Sequence, residues 1–148
     1  MRKVTEVDHP NCYCIDLRSA ALRLTQIYDD ALSSTGLNIT QFSLLAAIQS
    51  LNAPTLSMLA KESHLERSTL GRNLKVLEKM EYIETRTGLD ARSKSIHLSR
   101  KGKAAFKRAW PIWRGVQKEL TGRLGADGRG HLDTLLGSLT KPLAAQQI

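Results

Sequence analysis

Two cysteines separated by a single residue, Cys12 and Cys14, are the side chains of this 148-residue sequence with the widest chemistry. A Cys-x-Cys pair cannot readily close on itself, because the ring would be too tight for relaxed disulfide geometry. Both thiols lie at the start of a predicted helix, whose positive end stabilises a thiolate. Cys12 and Cys14 are therefore candidates for reaction with an oxidant.

The same cysteines allow two other interpretations. Free cysteines commonly pack as small apolar side chains, so Cys12 and Cys14 could simply lie in a subunit interface. Alternatively, His9 could join Cys12 and Cys14 as soft ligands for zinc or copper, shared across a dimer. No fourth ligand is evident nearby, so the sequence gives the metal site the least support.

A second feature with chemical consequences is the excess of basic side chains in the middle of the chain. The formal net charge is +8, and between Lys61 and Arg108 there are thirteen Lys or Arg residues against six Asp or Glu. Such an excess attracts polyanions through its long-range field and through counterion release. A solvated basic face that only maintains solubility is the alternative, so the elements that carry the charge must decide.

Hydrophobic periodicity predicts four helices in the first half of the chain. Thr40 is the predicted N-cap of the second helix. The third and fourth helices are joined by a tight turn near His64, and the fourth is amphipathic and basic, which is typical of a helix-turn-helix. The predicted ranges are Cys12–Leu32, Gln41–Leu51, Ser57–Ser63 and Arg67–Met80.

A β-hairpin with a charged tip follows the basic helix. Alternating β-branched and aromatic residues predict strands at Tyr82–Thr87 and Ser95–Ser99. A long helix starts at Arg100, Pro111 is expected to bend it, and Leu132–Leu143 forms a last apolar helix. The sequence therefore predicts a mainly α fold with a small β-hairpin wing, a winged helix-turn-helix.

Three segments of this pattern resemble the MarR family of bacterial regulators. They are Leu65–Leu70, Leu77–Ile83 and Asp90–Gly102, and the last looks like the family's wing signature of Asp-x-Arg-Ser, a strand, a Ser or Thr cap and a Gly. The resemblance implies a single domain over residues 1–148, with a DNA-binding lobe at 37–100 and dimerisation helices at 1–36 and 101–148. It further implies a homodimer on a palindromic double-stranded operator.

The resemblance also assigns roles in DNA binding. Arg72 is the best candidate for reading a base edge, because a guanidinium on the first turns of the recognition helix reaches the major groove. Arg92 suits a narrow minor groove, where Asp90 can hold it by a paired hydrogen bond, and Lys94 suits a phosphate. The predicted DNA contacts are Ser68, Thr69, Arg72, Asn73, Lys75, Arg86, Asp90, Arg92, Ser93 and Lys94.

The segment Cys14-Ile15-Asp16-Leu17, with Tyr28 fourteen residues after the cysteine, is similar to the organic-hydroperoxide-sensing branch of the family. That similarity implies that Cys14 is oxidised and that Tyr28 hydrogen-bonds it. The sequence departs from the branch at Arg18, where a second tyrosine is expected. An alternative signal is a small organic ligand in the cleft between the dimer helices and the lobe. The liners proposed for it are Arg18, Tyr28, His97 and Trp113.

These features favour a DNA-binding transcriptional regulator, a repressor released by thiol oxidation or by a small ligand, over an enzyme. The histidines are scattered, and no nucleophile with a base, paired carboxylates or glycine-rich phosphate loop is found. No cofactor is expected. A winged-helix module that does not bind DNA is the other alternative, and the charged wing disfavours it. We expect a cytoplasmic protein, because no secretory signal and no apolar run of about 20 residues is present.

Overall fold

The computed structural model describes residues 12–88 and 94–142. Over these residues the chain forms helices with one antiparallel hairpin, which confirms the predicted fold class. The elements are α1 (Tyr13–Leu32), a 3-10 turn (Ser33–Thr35), α2 (Ile39–Leu51), α3 (Leu56–Ser63), α4 (Arg67–Lys79), β1 (Ile83–Thr87), β2 (Lys94–Leu98), α5 (Arg100–Leu124) and α6 (Gly128–Leu139). None of the helices in these two ranges is both long and apolar enough to cross a membrane.

The start of α2 differs from the prediction, because Asn38 and not Thr40 is the N-cap. The Asn38 side chain accepts a hydrogen bond from the Gln41 backbone N–H at 2.8 Å, and the Gln41 side chain accepts one from the Asn38 N–H at 3.0 Å. This reciprocal pair is a capping box. A third bond ties α1 to this point, since the Ile39 N–H donates to the Asp29 carboxylate at 2.7 Å.

The helix-turn-helix is built from α3 and α4 on a common core. Thr55 caps α3 by accepting from the Met58 N–H, and His64 ends it in the left-handed region at φ 53°. The chain then turns back within three residues into α4. Side chains from α2, α3, α4 and the hairpin form one buried core with α5, among them Leu45, Leu59, Leu70, Leu77, Ile96 and Ala105.

The hairpin pairs Ile83 with Leu98 and Thr87 with Lys94, so β2 begins and ends one residue earlier than predicted. The Ile96 N–H donates to the Pro54 carbonyl at 2.9 Å, which attaches β2 to the segment between α2 and α3. The Thr85 hydroxyl donates to the Glu78 carboxylate at 2.8 Å, and this bond turns one face of the hairpin toward α4.

A tight junction joins the hairpin to α5. Ser99 caps α5 by accepting from the Gly102 N–H, and its hydroxyl donates to the Glu81 carbonyl at 2.6 Å. A Cβ at Gly102 would lie only 1.9 Å from the Tyr82 carbonyl oxygen, so the close approach of the two backbones requires glycine there.

The C-terminal helices also refine the prediction. α5 continues as one helix through Pro111, although proline supplies no N–H for the ladder. α6 starts at Gly128, four residues before the predicted Leu132, and ends at Leu139. Large apolar side chains on α1 and α6 are exposed in the single chain, among them Ile15, Leu22, Leu135 and Leu139.

Candidate nucleic-acid interface and effector segment

α4 carries two opposite faces that follow from its sequence. Leu70, Leu74 and Leu77 are buried, at spacings of four and three residues, and they anchor the helix to the core. The opposite stripe is polar and exposed. It consists of Ser68, Arg72, Lys75 and Lys79, at positions i, i+4, i+7 and i+11. The burial of the leucines therefore fixes an outward row of one hydroxyl and three cations.

Two predicted contact residues lie at the edge of this stripe. Thr69 and Asn73 are half-buried, and the Asn73 amide donates to the Thr69 backbone carbonyl at 2.9 Å. One of the two N–H groups of the Asn73 amide is thus used inside the helix, which leaves the second N–H as a donor to a base or a phosphate and the carbonyl oxygen as an acceptor from a base. Ser68 and Arg72 point outward more directly than Thr69 and Asn73.

Arg67, the first residue of α4, is not among the predicted DNA contacts. Its guanidinium donates to the Ser57 hydroxyl of α3 at 2.8 Å, so the first turns of both helices are linked on the exposed surface. A cation held at the start of a recognition helix is well placed for a phosphate. Its position directly before Ser68 was the signal that could have added it to the predicted contacts.

The structure describes only part of the wing tip. Lys94 is exposed at the start of β2, directly opposite Thr87. Asp90, Arg92 and Ser93 lie outside the described residues, so their roles stay predictions.

Arg86 lies on the opposite face of the hairpin from Thr85. Because neighbouring residues of a strand alternate between faces, the bond from Thr85 to α4 places Arg86 on the face turned away from the recognition helix. There the Arg86 guanidinium pairs with Glu84 at 3.2 Å and borders a cavity of about 150 Å³ with His97 and Lys103. The structure does not group Arg86 with Ser68, Arg72 and Lys75.

Cys14 and its predicted partner Tyr28 lie on the same helix, α1. Cys12 and Cys14 are free and exposed at the start of α1, and Arg18 is exposed one turn after Cys14. Tyr28 follows Cys14 by fourteen residues, which corresponds to roughly 21 Å along a helix. The bond predicted between Cys14 and Tyr28 therefore cannot form within one chain.

Tyr28 is partly buried near the end of α1. Partial burial raises the pKa of its phenol above the ordinary value, since desolvation disfavours the phenolate. A tyrosine hydroxyl is protonated at neutral pH in any case, so it can donate a hydrogen bond there.

The four residues predicted to line a ligand cleft are not brought together. Trp113 lines a cleft of about 510 Å³ between α2 and α5, whereas His97 borders the smaller cavity beside Arg86. Arg18 and Tyr28 line neither. His9 lies outside the described residues, and within them no three His, Cys, Asp or Glu side chains are close enough to hold a metal ion.

Comparisons with known proteins identify the fold. The model of the MarR family matches residues 37–93, from the approach to α2 into the wing. The transcriptional regulator MosR of M. tuberculosis, solved in complex with DNA, is 44% identical, with a TM-score of 0.76 over 86% of this chain and 95% of MosR. The chain belongs to the MarR family.

Other comparisons agree with membership of the MarR family. A second structure of MosR is 42% identical with a TM-score of 0.73, over 88% of this chain and 96% of that one. A mutant of MarR from E. coli, complexed with operator DNA, is 22% identical and supports the fold alone, with a TM-score of 0.77 over 84% and 91% of the two chains. No curated protein matches the chain. The predicted family is confirmed, and with it the prediction of a DNA-binding transcriptional regulator.

Proposed function

We propose that this MarR-family regulator represses transcription as a homodimer that inserts one α4 from each subunit into successive major grooves of a palindromic operator. The observation that carries the proposal is the outward stripe of α4. A row of hydroxyl and cationic side chains, held opposite three buried leucines, has the chemistry that base edges and phosphates require. The half-sites would lie about one helical turn apart, and the regulator would act in the cytoplasm, where such an operator is found.

The exposed residues of α4 differ in the part of the DNA that their side chains are suited to contact. Arg72 is suited to bidentate bonding with a guanine, because its side chain is exposed at the centre of the stripe. Ser68 and Lys75, on either side, are suited to phosphates. Arg92, positioned by Asp90, is proposed for the minor groove on the strength of the sequence motif.

Dimerisation is supported by the apolar faces that a single chain leaves open. Ile15 and Leu22 on α1 are 67% and 65% exposed, and Leu135 on α6 is 61% exposed. Large apolar side chains left exposed on the helices at both ends of the chain are typical of a protein interface. A second copy related by a twofold axis would cover α1 and α6 with the same faces of its own helices.

Release from DNA is proposed to start at Cys14. In a twofold dimer with antiparallel α1 helices, residues fourteen apart meet across the axis when the crossing point lies midway between them. The residue midway between Cys14 and Tyr28 is Ala21, which is preceded by Ala20. Because both side chains at this crossing point are small, the two α1 helices can approach closely there. The protonated phenol of Tyr28 from the partner subunit could then donate to Cys14.

The redox step has simple chemistry. The thiolate of Cys14 attacks the outer oxygen of an organic hydroperoxide, the O–O bond breaks, and an alcohol leaves after taking up a proton. The sulfur becomes a sulfenic acid, which is larger than the thiolate, carries a hydroxyl group and has lost the negative charge. Its altered contact with Tyr28 across the dimer would shift the population toward dimers whose α4 spacing does not fit the operator.

The proposal is tested by operator titrations before and after treatment with cumene hydroperoxide. Wild type should bind duplex DNA and lose affinity on oxidation, whereas Cys14→Ser should bind and no longer respond. Cys12→Ser is the matched control and should respond as wild type does. If both variants still respond like wild type, thiol sensing is wrong, and if reduced wild type fails to bind any genomic duplex, the role as an operator-binding repressor is wrong.

A further inference from the structure

The cavity beside Arg86 has a chemistry that the proposed function does not use. It lies between the end of α2, the face of the hairpin turned away from α4 and the start of α5, and its volume is about 150 Å³. Sites for drug-sized molecules are larger, roughly 300–1,000 Å³, so this cavity suits an ion with its water. We propose that it binds a tetrahedral oxyanion such as inorganic phosphate, and that the bound ion stabilises the hairpin against α2 and α5.

Three basic side chains reach the cavity from three elements. Arg86 lies on β1, His97 on β2 and Lys103 on α5. The strand register places Arg86 opposite Ser95, two residues before His97, so both basic residues of the hairpin lie on the same face. A guanidinium and an ammonium are the groups that proteins use most often to bind phosphate oxygens.

The remaining polar lining favours an anion as well. Gln49 and Asn52 contribute amide groups that can donate hydrogen bonds, and no acidic side chain lines the cavity within residues 12–88 and 94–142. Glu84 pairs with Arg86 from outside the lining, but both side chains are more than half exposed. Such a pair contributes little to stability, so a phosphate can replace the carboxylate as the partner of Arg86.

The helix ends at the cavity leave this excess of positive charge in place. The C-terminal end of α2 carries about half a negative charge and the N-terminal end of α5 about half a positive charge, so the two nearly cancel. The positive end of a helix favours acidic residues, yet the first turn of α5 carries Arg100, Lys101 and Lys103 and no acidic residue. Glu81 pairs with Lys101 at 3.0 Å, whereas Lys103 has no ion pair with any described residue. An anion in the cavity would compensate Lys103 as Glu81 compensates Lys101.

The imidazole of His97 is held in place by its neighbour on the same face. Its Nε2 lies 2.9 Å from the Ser95 hydroxyl, and His97 is half-buried. When the hydroxyl donates to Nε2, the ring proton is on Nδ1, and this N–H is a further donor for an oxyanion. Because Ser95 already orients the ring, little side-chain freedom is lost on binding. One ion would then join β1, β2 and α5.

Calorimetry and thermal unfolding test the site in the full chain at neutral pH, with the ionic strength held constant by sodium chloride. Inorganic phosphate should bind saturably with a Kd of about 1 mM or lower, and about 10 mM phosphate should raise the Tm by about 3 °C. Acetate, a planar anion, is the control ligand and should do neither. Absence of saturable phosphate binding, or equal binding of acetate, overturns the proposal.

Matched variants separate the site from the general stabilisation that phosphate gives to folded proteins. Lys103→Gln and Arg86→Gln should each weaken phosphate binding by about tenfold, because each removes a charged donor. Lys107→Gln, one turn later on α5 and outside the lining, is the matched control and should bind phosphate as wild type does. All three side chains are exposed, so the substitutions should not disturb the fold. If Lys103→Gln and Arg86→Gln bind phosphate as tightly as Lys107→Gln does, the ion binds elsewhere and the proposal is overturned.

A DNA arm distinguishes the free ion from the phosphates of an operator. Because the cavity lies on the face of the hairpin turned away from α4, phosphate should bind the operator complex and the free protein with the same affinity. Loss of phosphate binding in the complex would assign these donors to the DNA backbone and overturn the inference of a separate site. Failure of the protein to bind DNA overturns the proposed function instead, while phosphate binding to the free protein is still measured by calorimetry.

Discussion

The lobe that carries the DNA contacts and the helices at the two ends of the chain bury their apolar side chains to very different extents. In the lobe, Leu45, Leu59 and Leu70 are fully buried. At the ends, Ile15 of α1 and Leu135 of α6 are largely exposed. One chain therefore fixes the geometry of the DNA-reading surface, whereas the relative position of two such surfaces depends on a second copy. Affinity for one half-site and control of the operator spacing are thus separate properties of the fold.

The substitution with the largest expected effect disrupts the proposed dimer interface on α6. The double substitution Leu135→Asp and Leu139→Asp places two carboxylates on the apolar face of α6, one turn apart. We expect the free energy of dimerisation to fall by about 4 kcal/mol or more, because each charge would be desolvated without a partner. Sedimentation velocity should show monomers at micromolar concentration.

The matched control for this pair is Thr134→Asp, on the opposite side of α6 from the two leucines. It should remain dimeric and bind operator DNA as wild type does. If the double variant is as dimeric as Thr134→Asp, the apolar face of α6 does not form the interface, and the distinction between the ends and the lobe loses its basis.

The next effect tests the packing of the lobe against α5. Gly102→Ala would bring its new Cβ to 1.9 Å from the Tyr82 carbonyl unless the backbones separate. We expect a loss of about 3 kcal/mol in the free energy of unfolding, measured by urea denaturation. Gly115→Ala, on the same helix with open space around it, should instead gain about 0.5–1 kcal/mol. Equal changes in the two variants would contradict the close approach.

Much of this lobe could be predicted because its signals are local. The spacing of Leu70, Leu74 and Leu77 determines which side of α4 faces the core, and therefore which side presents Arg72. The orientation of Arg86 could not be obtained in this way. Strand alternation places it opposite Thr85, but the bond from Thr85 to Glu78 that decides which face meets α4 joins two elements.

The effector side was less predictable for the same reason. The family resemblance implied a hydrogen bond between Cys14 and Tyr28, yet a continuous helix separates the two residues in one chain, and only an assembly could bring them together. The cleft that Trp113 lines combines residues of α2, α3 and α5 that are up to 74 positions apart, from Ile39 to Trp113, and no periodicity connects them. Tertiary packing alone creates that combination.

The two arginines of the lobe provide the third prediction. Arg72→Ala should weaken operator binding by about 2 kcal/mol, since it removes a guanidinium from the outward stripe. Arg86→Ala should weaken it by less than about 0.5 kcal/mol, because that side chain lies on the far face of the hairpin and pairs with Glu84. Fluorescence anisotropy at a fixed salt concentration measures both. Similar losses would show that the far face of the wing also meets DNA.

The smallest effect concerns the point where the end helix α1 joins the lobe. Asn38→Ala removes the side-chain acceptor of the Gln41 N–H and should lower the free energy of unfolding by about 1 kcal/mol. Thr40→Ala, at the position that the sequence pattern predicted as the cap, should change it by less than about 0.5 kcal/mol. Both are measured by urea denaturation at one protein concentration, because dimerisation would otherwise add to the stability.

The stabilities of Asn38→Ala and Thr40→Ala together locate the boundary between α1 and the lobe. If Asn38→Ala is costly and Thr40→Ala is not, α2 is capped from within the lobe, and the Asp29 bond to Ile39 is an additional tie from α1. Asp29→Ala should then cost a further increment of about 1 kcal/mol in the Asn38→Ala background, because the two side chains satisfy different backbone donors. If Thr40→Ala instead loses more unfolding free energy than Asn38→Ala, Thr40 is the N-cap of α2. The residues before Thr40 would then belong with the end helices.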